Sequence, residues 1–183
     1  MNAKELLLNR QSDSQLSFPG PNAQQLELIQ QAALRVPDHG HLAPWKFVVL
    51  QERQREKLGD IFLQAAQKED MGERVIERAA SLPERAPMVI VCIMKYIEHD
   101  KVPWVEQVAS ASCATFAMQQ AAFAQGLSGI WRTGAFAKSA TVKQALKLTD
   151  DDEIVGFLYL GTPTVDCPKK RRHQVADFFT DSL

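Results

Sequence analysis

The sequence predicts an α+β fold in which a central sheet is flanked by helices. Three observations carry that expectation. The run Met88, Val89, Ile90, Val91, Cys92, Ile93, Met94 is apolar at every position, as a central strand covered on each side must be. The stretch 104–125 is a long helix rich in Ala and Ser that stops at Gly126, a residue suited to a left-handed cap. The other segments follow helical and strand periods, with the first helices arriving as a block and about four strands in all.

The elements follow in order. The segment 4–10 has helical spacing and is stopped by Gln11, Ser12, Asp13 and Ser14. Phe18, Pro19, Gly20 and Pro21 make a turn, and Asn22 caps a helix over 23–35 with Leu26, Ile29 and Ala33 on one face. Pro37 and Gly40 make 36–41 irregular. Residues 45–50 alternate and are β-branched, which predicts a strand; 52–68 and 73–81 return to helical spacing before Pro83. After the long helix, 129–133 is a short strand closed by Gly134. Ser139 or Thr141 then opens a helix to Leu148, and 154–160 is the last buried strand. The tail beyond Pro163, with Lys169, Lys170, Arg171 and Arg172, is too polar to fold alone and is expected to lie on a partner chain.

A chain of 183 residues and 20.5 kDa, 45% hydrophobic, buries roughly 70% of its unfolded surface as one domain, whereas two would each be marginal. Lys and Arg total 21 against 22 for Asp and Glu, a net charge of −1, which argues against a nucleic-acid surface held by bulk positive charge. The charged share of 23% with a globular hydrophobic content excludes disorder of the whole chain. Cys92, Cys113 and Cys167 are odd in number and widely spaced, so they point to a reducing compartment rather than a disulfide or zinc framework. No signal-peptide core opens the chain, and its longest apolar run is too short for a bilayer; a cytoplasmic protein with no membrane partner is expected.

Several chemistries are excluded by pattern. The glycines 126, 129 and 134 do not form GxGxxG, and neither a P-loop nor a GxSxG elbow is present. Asp38, His39 and His41 cluster in a Pro/Gly loop without helical i, i+4 spacing, which favours hydrogen-bonding histidines over a metal site. What remains are groups suited to phosphate at the ends of elements: Arg10, Gln11 and Ser12 after the first helix, and Arg35 after the second. An arginine fork matches phosphate oxygens bidentately, although a cation at a helix C-terminus also serves simply as a cap. The second group is Trp131, Arg132 and Thr133 between glycines, where backbone N–H groups can approach a flat ligand. A core tryptophan with two turn glycines is the other reading.

Taken in order, these segments resemble the nitroreductase family of flavoenzymes, in particular its shortest members. The slot of an Arg-Arg-Ser-like motif reads Asn9, Arg10, Gln11, Ser12. The following helix runs into a loop ending Ala43, Pro44, Trp45, Lys46, Phe47, and the Pro-Trp-x-Phe pair anchors the match. Arg85, Ala86 and Pro87 precede a strand, Gly126 closes the Ala-rich helix, and Gly129 to Gly134 and Ile154 to Pro163 complete the order. Gln11 replaces a second arginine, Gln15 stands where many members carry a base, and Ala43 replaces the usual glutamine.

The resemblance implies a nitroreductase-like mixed sheet in one domain spanning 1–183, with the long helix at a homodimer interface and the tail from about 164 packed on the partner. It implies FMN at that interface, with Arg10, Gln11 and Ser12 on the phosphate and Arg35 as a further cation. His39 would reach the partner's flavin, and Trp131, Arg132 and Thr133 would line the isoalloxazine edge. Ala121, Ala122, Phe123, Ala124, Gln125 and Gly126 would bind the nicotinamide nucleotide. The implied activity is NAD(P)H-dependent reduction of a small electron-poor acceptor such as a nitroaromatic or quinone, with the coenzyme performing the chemistry and no catalytic residue required. A flavin-binding protein without turnover, or a flavin-dependent dehydrogenase of a biosynthetic intermediate, are the alternatives.

Overall fold

The computed structural model describes residues 1–164 and 173–181. The helices are α1 (Ala3–Asn9), α2 (Ala23–Ala33), α3 (Arg53–Lys68), α4 (Glu73–Ala79), α5 (Trp104–Ala124), α6 (Ala135–Lys138) and α7 (Ala140–Ala145). The strands are β1 (Leu16–Ser17), β2 (Trp45–Gln51), β3 (Met88–Met94), β4 (Ser128–Arg132) and β5 (Glu153–Pro163). The sheet order is β1-β5-β3-β2, with β4 also on β5. Where a mixed sheet was expected, every pairing among the described residues is antiparallel. Strand direction is set by how distant segments return to one another, and no local pattern encodes it.

β3 is the spine of the sheet. All seven of its residues are buried, because β2 and β5 flank its edges and helices cover both faces. On one face Val89, Val91 and Ile93 pack with Leu58, Phe62 and Phe157 under α3 and α4. On the other, Met88, Ile90, Cys92 and Met94 meet Ile29 of α2 and Ala111, Ala114 and Met118 of α5. Burial pushes the Cys92 thiol up to about 12.

The local signals act as their chemistry requires. Asn22 and Gln25 form a reciprocal capping box at the start of α2. Asn2 and Glu5 do the same for α1, although α1 buries none of its residues. α5 ends in a Schellman motif: Gly126 has φ +81°, its N–H donates to the Phe123 carbonyl at 3.1 Å, and the Leu127 N–H donates to that of Ala122 at 3.1 Å. Ser139, not Thr141, caps α7, its hydroxyl accepting from the Val142 N–H at 3.1 Å. β1 is an element that the sequence does not announce. The tail residues Val175, Phe178 and Phe179 are exposed, while Cys167 and the basic run 169–172 lie outside the described residues.

Candidate functional site

α5 positions the candidate residues, and it separates them into two groups. At its C-terminal half, the chain leaving α1 lies against it. Arg10 caps α1, its N–H donating to the Leu6 carbonyl at 3.1 Å, and its guanidinium carbon stands 5.3 Å from the centroid of the Phe116 ring. Partial burial lowers its pKa from the ordinary value, and among the described residues no carboxylate pairs with it. Gln11 and Ser12 follow, both half-buried. Gln119, 4% exposed on α5, donates from Nε2 to the Gly129 carbonyl at 2.8 Å and to the Ser12 hydroxyl at 3.3 Å. The Asp13 N–H donates to the same Gly129 carbonyl at 3.1 Å. The cationic segment after α1 is thereby fixed to the start of β4.

β4 carries the second set of candidates away from that point, roughly 13 Å from Gly129 to Thr133 at the usual strand rise. Trp131 is anchored by an indole N–H donated to the Val155 carbonyl at 3.1 Å, and its ring lies over Gly156. A Cβ on Gly156 would stand 2.2 Å from Trp131 Nε1, so only glycine admits the indole there. Arg132 reaches over the Tyr159 ring at 6.0 Å, and its Nε is buried without a hydrogen-bond partner. Burial pushes the Tyr159 hydroxyl up to about 12 against the opposing charges of Arg132 and Arg85, so the phenol stays neutral. Thr133 is exposed at the strand end.

Arg35 and His39 belong to the other end. α2 runs antiparallel to α5, since Gln125 Nε2 donates to the Gln25 carbonyl at 3.2 Å near the start of α2. The far end of α2, with exposed Arg35, therefore lies towards the N-terminal half of α5. His39 Nδ1 is 2.6 Å from Glu106 Oε2 in the first turn of α5. At 1.5 Å per residue Glu106 lies about 15 Å along the axis from Phe116, so one chain does not bring His39 to Arg10. Asp38 Oδ2 accepts from the Ala43 N–H at 2.7 Å. Among the described residues no His, Cys, Asp and Glu group could hold a metal.

Beyond Trp131, Arg132 and Thr133 opens a cavity of about 490 Å³ between α4 and β4. Arg78 of α4 and Arg85 stand in its wall with Arg132, and no carboxylate lines it among the described residues.

A family model described as Nitroreductase family matches residues 7–162. The chain belongs to the nitroreductase family. "Putative NAD(P)H nitroreductase YdjA" of Escherichia coli (strain K12) is 45% identical over 163 residues, which is 89% of either chain. The crystal structure of a nitroreductase-like family protein from Bacillus cereus superposes with a TM-score of 0.85 at 21% identity, covering 98% of this chain and 95% of that one. The NADPH:FMN oxidoreductase from Vibrio harveyi complexed with NAD+ superposes with a TM-score of 0.76 at 17% identity, covering 98% of this chain and 77% of that one.

For this member of the nitroreductase family, the segment after α1 is tied to the start of β4 beside the C-terminal half of α5, Trp131 to Thr133 lead on from there to the cavity, and Arg35 and His39 stand apart at the other end. The stretch 121–126 forms the last turns and cap of α5. Ala122 is fully buried, Ala124 and Gly126 are exposed, and Gln125 turns its amide to the Gln25 and Ala121 carbonyls. Arg78 and Gln119 are additions that the sequence did not single out, and Arg85, named there only as part of the segment before β3, joins them in the cavity wall. Arg78 and Arg85 read as ordinary surface cations of a helix and a turn, and Gln119 as one polar residue of an Ala-rich helix. Only tertiary packing makes them neighbours of β4.

Proposed function

We propose that this chain is an FMN-dependent oxidoreductase that takes hydride from NAD(P)H and reduces an electron-poor acceptor of the nitroaromatic or quinone type, acting as a homodimer. The observation that carries the reading is the division of the candidate ligands between the two ends of α5. A two-fold-related copy sets the N-terminal half of its α5 beside the C-terminal half of the first, which joins Arg35 and His39 of one chain to the other group on its partner. The outer face of the single chain fits such a contact: Leu7 and Leu8 of α1 and Val105 and Phe116 of α5 are exposed large hydrophobics.

The residues present suit FMN. The unpartnered Nε of Arg132 is a buried donor awaiting an acceptor atom, and the first group offers a guanidinium with no carboxylate paired to it among the described residues. Arg10, Gln11 and Ser12 would hold the phosphate, and Trp131, Arg132 and Thr133 the edge of the ring, with Arg35 and His39 supplied across the interface. The carbons and amide of 121–126 would lie on the side of the nicotinamide nucleotide. When bound, FMN supplies the hydride chemistry. The chain's own part is to position the reactants and to set a positive field through Arg132, Arg85 and Arg78, which favours added negative charge on whatever ring occupies the site.

The test is coenzyme retention. Arg10→Ala is expected to lose a charge-assisted phosphate contact, worth about 1.5–3 kcal/mol, and so to bind FMN roughly tenfold to a hundredfold more weakly. A purified variant as yellow as the parent, with an unchanged FMN dissociation constant, would remove Arg10 from the site. Parent protein that stays colourless after soaking in FMN would end the reading.

A further inference from the structure

The cavity between α4 and β4 has a divided character. Its floor is aromatic: Phe62 stacks on Phe136 with centroids 4.2 Å apart and meets Phe157 edge-on at 5.0 Å. Its wall carries Arg78, Arg85 and Arg132. None of the three is in an ion pair among the described residues. In a chain with net charge −1 this is a segregated positive site. Its 490 Å³ lies in the range of small-molecule pockets. These rings are almost wholly buried against one another, so the floor offers a small apolar surface for the body of a ring, and guanidinium forks take a carboxylate bidentately, whereas a neutral ring leaves the cations unanswered.

We infer that this cavity is a subsite for a planar aromatic acid and that the acceptor which the protein favours carries a carboxylate on its ring. The affinity for the acid stands on the cavity alone. Its assignment to the acceptor rests on the proposed oxidoreductase reading, since Trp131, Arg132 and Thr133 belong both to the cavity and to the ring edge.

The experiment has two arms. Cofactor-free protein is titrated by calorimetry with benzoate and with its neutral analogue benzamide, and FMN-loaded protein is titrated with para-nitrobenzoate and nitrobenzene while the visible flavin band is followed. The acid is expected to bind about tenfold tighter or more in each pair, as a charge-assisted contact provides, and to weaken as salt is raised. The double variant Arg78→Gln/Arg85→Gln, at two exposed positions that leave the core intact, removes two of the three cations and should cut the acid's advantage about threefold or more, Arg132 holding the remainder. Equal affinities in the parent would overturn the inference, as would a preference untouched in the double variant. Benzoate that binds the cofactor-free protein but is expelled by FMN also overturns it, because the cavity then belongs to the coenzyme. A protein that holds benzoate over benzamide yet never retains FMN sinks the oxidoreductase reading and leaves the acid-binding cavity standing.

Discussion

Each end of α5 is secured by one buried glutamine, and the two perform different work. Gln107 folds back on its own approach, accepting from the Ile97 N–H at 3.0 Å and donating to the Ile97 and Val102 carbonyls at 2.7 and 3.2 Å. Gln119 instead ties Ser12 to Gly129, joining the start of the chain to an edge strand. The N-terminal end is thus a local loop dressed with surface contacts such as the His39–Glu106 pair. The C-terminal end is a tertiary junction that sets how far Arg10 stands from Trp131. A contact within a short loop tunes stability, while a contact between distant segments also fixes a geometry that a ligand can read.

The largest expected effect lies on the β4 side of that junction. Gly156→Ala must displace the Trp131 indole from a backbone with φ +154°, and an overpacked site of this kind costs about 3 kcal/mol. Urea unfolding would show it, with a red-shifted tryptophan emission as the ring leaves its seat. Gln119→Ala comes next. It strips the buried Gly129 carbonyl of its side-chain donor, leaving the Asp13 N–H as partner, and is expected to cost about 0.5–1.5 kcal/mol while also lowering FMN retention. If retention is unchanged at that loss of stability, the junction does not set the site and the contrast between the two ends dissolves.

At the N-terminal end a pH effect is expected. Asp152 is buried, which alone would raise its pKa. Bonds from Lys95 Nζ and the N–H groups of Thr149 and Tyr96 overcome that and hold its carboxyl below the ordinary range. Its contribution is therefore fully present above the unfolded carboxylate value and is lost as the pH falls through the lower folded value. The urea midpoint should drop on acidification below about pH 4, and Asp152→Asn should flatten that drop. The smallest effect belongs to Glu106→Gln, whose partner His39 is as exposed as itself. Equilibrium unfolding should register no more than about 0.5 kcal/mol in the monomeric protein.

The same contrast explains what was legible in the sequence. β3 reads directly because seven apolar residues in a row have no other place than a covered strand, and α5 because Gly126 marks its end. Asn22 and Ser139 announce their helices through caps, which are local chemistry. β1 has two residues and no period to detect, so it exists only because β5 extends far enough to pair with it. The antiparallel direction of each strand was equally invisible. The motif named Arg10 and Ser12, but not the Gln119 amide that bonds Ser12, since a glutamine within a helix carries no sign of what it will meet. Arg78 went unremarked for the same reason, and Arg85 was named only for its place before β3.

Cys92 sits at the middle of the sheet with its thiol raised to about 12 by burial. At neutral pH essentially none of it is thiolate, and thiolate is the form that adds to electrophiles. Of the two cysteines among the described residues, an electrophile therefore meets the outward Cys113 first, and the sulfur at the centre of the sheet is shielded both by its packing and by its protonation.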